Sequence, residues 1–301
     1  DLRSIAVIGP NADDREVLLG NYNGLPSRST TVLDGIRAAV SPGTRVWYAA
    51  GCDIVKNEDT AWGVRADDGF GEALAAAERS EVAVLVLGIS NRIEGEEGGA
   101  AQSQWQGDRI RIELPVIQQR LVSAIAAKGR PMVIVLLTGS PLAIPREHDL
   151  AKAVLLAWYP GQAGGEAVAE TLFGGANPAG RLPITWVKSV EQLPPFTDYA
   201  MRGRTYRFLE QEPLYPFGYG LSYTTFEYTN MMVNEPKVDS TGTVEISCNV
   251  RNAGKVVGDE VVQGDILVFI RFDIGVVGDD LHAALLVVER HHVIVPQLGA
   301  R

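Results

Sequence analysis

The sequence predicts an α/β protein in which a mainly parallel sheet is sandwiched by helices and followed by an incomplete all-β sandwich. Three observations carry this. Short apolar runs alternate with amphipathic patterns through the first two thirds of the chain. Six prolines (Pro178, Pro183, Pro194, Pro195, Pro213, Pro216) then fall within fifty residues. Beyond them, Thr243–Val250 alternates with period two. The first pattern demands parallel strands covered on both faces, the second forbids long helices and central strands, and the third suits a half-buried strand.

Taken in order, Ile5–Gly9 (IAVIG) is a first buried strand, Thr31–Val40 a short helix and Arg45–Ala49 a second strand. Asp67–Arg79 has helical periodicity and leads into the apolar run Val82–Gly88. The amphipathic pattern from Ile110, strongest over Leu114–Ala127, precedes the strand Met132–Leu137. Ala153–Trp158 is a further strand and Gly164–Phe173 the helix after it. These elements define an α/β domain over 1–190, a Pro-rich extended connector over 191–227 and a partial β domain over 228–301. Asn252-Ala253-Gly254 marks a turn in the last of these. After Gln263 the sequence stays apolar but loses strand and turn punctuation, which predicts weak strand pairing there.

The chain has 301 residues, ordinary apolar and charged fractions, and a formal net charge of −10. That charge argues against nucleic acid or an anionic membrane as partner, since both need a basic face. Two cysteines, Cys52 and Cys248, give neither a disulfide framework nor zinc-ligand spacing. The four histidines show no ligand pattern, so no metal or cofactor is expected. No apolar run is long enough for a membrane-spanning helix, and no leader is visible. The start at Asp1, directly before a strand, suggests a segment of something longer.

The chemistry concentrates in Asn91–Arg109, NRIEGEEGGAAQSQWQGDR. This loop follows a buried strand, and in parallel sheets ligands bind at the carboxyl ends of strands. Glu94, Glu96 and Glu97 are so crowded that they cannot all ionise cheaply, which suits one of them to hold a proton as a general acid. The bland alternative is a solvated acidic loop. Two glycine clusters fail as nucleotide sites. Gly9-Pro10-Asn11 lacks the dinucleotide spacing, and Pro10 removes an amide that phosphate would need. Gly161–Gly165 (GQAGG) is not followed by Lys-Ser or Lys-Thr. Ser140 lies in no nucleophile elbow and has no histidine nearby in sequence.

Four motifs together resemble the C-terminal half of glycoside hydrolase family 3, the β-glucosidase and β-xylosidase family. They are Ile5–Asp13 with Gly20–Gly24 (GNYNG) and Gly51–Asp53; the acidic loop running into Gly107–Val122; Trp158–Trp186; and Arg204–Tyr228. The resemblance implies an α/β sandwich domain with part of a fibronectin type III-like domain, as the C-terminal portion of a retaining β-glycosidase. It also implies an N-terminal TIM barrel as partner, bearing the aspartate nucleophile that no segment here matches. The substrate would be a β-linked oligosaccharide or glycoside with a terminal non-reducing sugar. The acid/base glutamate of the family lies in the loop matching Asn91–Arg109. Glu96, in a Gly-Glu setting before Asp108-Arg109, is the first choice, with Glu94 and then Glu97 as alternatives. Asp108 and Arg109 are expected to anchor the loop by an ion pair rather than to touch sugar. Family members are often secreted or periplasmic. The rival classes are a non-catalytic carbohydrate-binding or scaffold module and a hydrolase using Ser140.

Overall fold

A computed structural model describes residues 2–54, 65, 67–95, 109–233, 246–262, 265–269 and 288–292, the last two segments as backbone only. The chain divides into two compact units: Asp1–Ala176 with Thr185–Arg204 and Phe208–Tyr215, and Asn177–Ile184 with Thr205–Arg207 and Pro216–Arg301.

The first unit is built on five strands, β1 (Ser4–Ile8), β2 (Arg45–Ala49), β3 (Val82–Gly88), β4 (Met132–Leu137) and β5 (Ala153–Leu156). They form one parallel sheet in the order β2-β1-β3-β4-β5. The helices are α1 (Val32–Ala39), α2 (Phe70–Glu78), α3 (Val116–Ala126), α4 (Pro145–Leu150) and α5 (Gly164–Leu172). Alternate strand residues Ile5, Val7, Val84, Val86, Val135 and Leu137 form one buried layer with Val32, Leu33 and Ile36 of α1 and Val168 of α5. The intervening Ala6, Ile8, Ala83, Leu85 and Leu87 are equally buried. They face the other way, where Ala73, Ala77, Ile117 and Leu121 of α2 and α3 supply buried apolar groups. Burial on both faces explains why β3 is a continuous apolar run rather than an alternating one.

The helix starts follow from local chemistry. Thr31 caps α1 with a complete capping box: its hydroxyl accepts from the Asp34 amide at 3.1 Å and its own amide donates to the Asp34 carboxylate at 3.4 Å. The helix expected from Ile110 begins only at Val116. Pro115 takes the N-cap position and keeps its predecessor out of helical conformation. Instead, Glu113 makes a parallel bridge with Ala143. The strand expected to reach Trp158 ends at Leu156, because Trp158 turns into the left-handed region at φ 55°. Helix α4, which no apolar periodicity announces, carries Pro145 in its first turn, where a missing amide costs nothing.

Close packing of α1 on α5 depends on Gly35 and Gly165. A Cβ on either would overlap a backbone carbonyl of the other helix's first turn, Gly165 O and Thr31 O respectively. Three amides of the GQAGG cluster are taken up within the protein, Gly161 donating to Leu18 O at 2.8 Å, Gly164 to Gly161 O at 3.0 Å and Gly165 to Thr30 O at 2.9 Å. Gln118 of α3, fully buried, ties off β3: it accepts from the Gly88 amide at 2.9 Å and donates to Gly88 O at 2.7 Å and Ile54 O at 2.8 Å.

In the second unit, β6 (Phe226–Val233) pairs antiparallel with β7 (Ile246–Asn252), with a register shift between Thr229 and Met232. Arg181 and Glu260 form a largely buried ion pair at 2.5 Å, and Tyr228 donates to Glu260 at 2.7 Å. Within the tail expected to pair weakly, β8 (Asp265–Phe269) and β9 (Val288–His292) make a five-residue antiparallel ladder. The rest of that tail lies outside the described residues.

Candidate active site

The sheet order places a topological switch between β1 and β3, since the chain leaves β1 toward β2 on one side and returns to β3 on the other. Ligands in open parallel sheets bind outside the carboxyl ends at such a point. The loop after β3 carries Glu94, and loops from β1, β4 and β5 all reach it. Asn21 Nδ2, from the GNYNG segment after β1, donates to the Glu94 main-chain oxygen at 3.1 Å. From the loop after β4, the Gly139 amide donates to Glu94 Oε1 at 3.1 Å and the Ser140 hydroxyl to Oε2 at 2.6 Å. From the loop after β5, the Tyr159 hydroxyl donates to Oε1 at 2.5 Å.

Each of these partners is itself held. Ser140 sits in a tight turn in which its amide donates to Thr138 Oγ1 at 3.2 Å and Thr138 Oγ1 to Ser140 O at 2.6 Å. Arg109 Nη2 donates to Ser140 Oγ and to Pro141 O, both at 3.2 Å. Tyr159 follows Trp158, whose left-handed backbone is rare for a bulky residue and marks a locally imposed turn. The Trp158 ring packs edge-on against Trp186, with centroids 6.3 Å apart. Behind them, Arg92 bridges the β3 loop to Asp14 at 3.0 Å and Glu16 at 3.2 Å, both after β1.

Burial, and then the hydrogen bond and charge of Glu94, push the Tyr159 phenol far up. It therefore remains a neutral hydroxyl at working pH. Burial disfavours the Arg109 charge, while the neighbouring Glu94, Tyr159 and Glu113 favour it. Gly139 leaves the room this cluster needs, since a Cβ there would stand 2.6 Å from Glu94 Oε1 and 2.7 Å from Tyr159 Cε2. The result is a carboxyl group fixed by two hydroxyls and one amide. A hydroxyl can donate to a carboxylate and rotate to accept from a carboxylic acid, so this setting suits a group that gains and loses a proton.

Of the three glutamates singled out in sequence, Glu94 is brought into this cluster. Glu96 and Glu97 lie outside the described residues, as does Asp108. Arg109 anchors the loop through Ser140 and Pro141. Ser140 has Glu94 as its side-chain acceptor, not a histidine; His148 instead meets Tyr215 Oη at 2.7 Å. Cys52 is no nucleophile, because burial pushes its thiol up to about 12. Among the described residues, no group of three potential metal ligands occurs and no helix is long and apolar enough to cross a membrane. Tyr159, Gly139 and Asn21 had no assigned role in the sequence, although all three lie in loops after strands.

Residues 1–223 match the Glycosyl hydrolase family 3 C-terminal domain. A beta-xylosidase of Formosa agariphila is 38% identical over 288 residues, covering 92% of this chain and 37% of that protein. A periplasmic beta-glucosidase of Salmonella typhimurium is 36% identical over 286 residues, covering 86% of this chain and 36% of that protein. Among solved structures, a GH3 exo-beta-xylosidase in complex with a xylobiose aziridine probe superposes with a TM-score of 0.70 at 28% identity, covering 88% of this chain and 36% of that one. A beta-glucosidase from Erythrobacter marinus gives 0.69 at 36% identity, covering 87% and 36%. The chain thus spans a little over a third of the length of these two curated relatives.

Proposed function

Since the chain belongs to glycosyl hydrolase family 3, whose C-terminal domain it carries, we propose that it is the acid/base-bearing part of a retaining β-glycosidase of the β-xylosidase or β-glucosidase type. The nucleophile, an aspartate, would stand on an N-terminal barrel. The substrate would be a β-linked glycoside with a terminal non-reducing sugar. Residues 228–301 would begin a fibronectin type III-like domain, a reading that the antiparallel β6–β7 pair supports.

The observation that carries the reading is the Glu94 cluster at the switch point. Retaining hydrolysis uses two carboxyl groups: one attacks the anomeric carbon while the other protonates the leaving oxygen, and the second then deprotonates the incoming water. Glu94 would take that second role, a reading supported by the two hydroxyls and the amide that hold its carboxyl group.

Two measurements test this. Purified residues 1–301 should not turn over nitrophenyl β-xyloside or β-glucoside, because an acid/base without a nucleophile cannot form the glycosyl intermediate. The same chain joined to its barrel should do so, and steady turnover by the 301-residue chain alone would refute the division of labour. Gly139→Ala in the barrel-bearing enzyme should displace the Glu94 carboxyl group, the atom nearest to the new methyl. A shift of that order costs about 10²-fold in rate. The melting midpoint should suffer less than the rate, since both contacted atoms belong to side chains rather than to backbone. Equal losses of activity and stability would place Gly139 in the packing rather than in the site.

A further inference from the structure

We propose that Tyr159, assisted by Ser140, is a positioning residue that holds the Glu94 carboxyl group in register with the glycosidic oxygen through both steps of the reaction. The inference rests on the acid/base role of Glu94 and goes beyond it, because it assigns the orientation of that group to a residue two strands away. Three facts support it. Tyr159 makes a 2.5 Å hydrogen bond to Glu94 Oε1, while Ser140 takes the opposite oxygen at 2.6 Å. With each carboxyl oxygen held, rotation of the group about its terminal bond is blocked. The Gly139 amide adds a third donor on the Tyr159 side.

The choice of hydroxyls matters. An arginine or lysine in their place could only donate, and would favour the carboxylate throughout the cycle. When Glu94 carries its one proton, the hydroxyl beside the protonated oxygen can turn so that it no longer opposes that proton, while the other hydroxyl goes on donating to the unprotonated oxygen. The proton for the leaving group therefore comes from Glu94 and later returns to it from water, while Tyr159 keeps its own. The left-handed turn at Trp158 immediately precedes the tyrosine that reaches Glu94.

The test is a double-mutant cycle in the barrel-bearing enzyme, using aryl β-xylosides of graded leaving-group ability. Tyr159→Phe removes one oxygen and keeps the ring, so the fold should hold. On poor leaving groups kcat should fall roughly ten- to hundredfold, the scale of one hydrogen bond to a charged partner, with KM nearly unchanged. On activated substrates the first step should be affected less. In a Glu94→Gln background, the same Tyr159→Phe change should cost almost nothing, since the group it positions no longer transfers a proton. Ser140→Ala should show the same dependence on Glu94. If Tyr159→Phe and Ser140→Ala each cost the same factor with and without Glu94, or act on KM alone, the positioning role is wrong while the acid/base role stands. If Glu94→Gln itself leaves poor substrates unaffected, both fall.

Discussion

Replacing Glu94 by glutamine in the barrel-bearing enzyme should cut turnover of poor-leaving-group substrates by roughly 10²–10⁴-fold, the usual contribution of a positioned general acid–base. Glutamine keeps the size of the side chain; its oxygen can still accept from Tyr159 and the Gly139 amide, while its NH2 group donates to a Ser140 hydroxyl turned to accept, so the group stays in place and the transferable proton is lost. Activated aryl glycosides should lose less in the first step, because their leaving groups need little protonation. Their second step should still stall, because water then lacks a base. Added azide should relieve that stall: a small anion attacks the glycosyl intermediate without base assistance and leaves a glycosyl azide. Glu96→Gln and Glu97→Gln, measured in parallel, should show neither the leaving-group dependence nor azide rescue. Rescue in Glu96→Gln and not in Glu94→Gln would move the role to Glu96, the residue the Gly-Glu spacing favours.

That contrast shows what a sequence can and cannot say about such a loop. The acidic cluster is legible because three carboxylates follow a buried strand, and strand ends bind ligands. The Gly-Glu spacing puts Glu96 first, but spacing does not show which loops meet Glu94. Ser140 and Tyr159 lie 46 and 65 residues from Glu94, and only the parallel order of β3, β4 and β5 brings them together. The strands themselves are read well: β2, β3 and β4 have the bounds their apolar runs imply. Elements whose ends are set by backbone conformation are read less well. Trp158 stops β5 early through its positive φ, and Pro115 delays α3 by fixing the residues before it. Helix α4, six residues of mostly charged sequence, has too little apolar periodicity to announce itself.

Gly165→Ala should be strongly damaging to the first unit. The new methyl would overlap the Thr31 carbonyl oxygen at the start of α1 and also crowd Thr30 O, to which the Gly165 amide donates at 2.9 Å. Neither contact is the free end of a side chain, so relief requires α1 and α5 to move apart. Separation would open the layer where Val32, Leu33 and Ile36 meet Val168 and the β1 and β3 side chains. Overpacking of this kind typically costs about 1–3 kcal/mol, and a backbone contact belongs at the upper end. In a unit of this size, that should lower the melting midpoint by roughly 5–10 °C. Gly35→Ala, whose methyl would meet Gly165 O from the other helix, should behave alike. The matched control is Gly71→Ala in α2, where an added Cβ meets nothing within 4 Å. There alanine should be neutral or stabilise by about 0.5–1 kcal/mol, because glycine loses more backbone freedom in a helix. Thermal melts of the three variants decide the matter: if Gly165→Ala and Gly71→Ala melt together, the helices do not depend on backbone contact at this point.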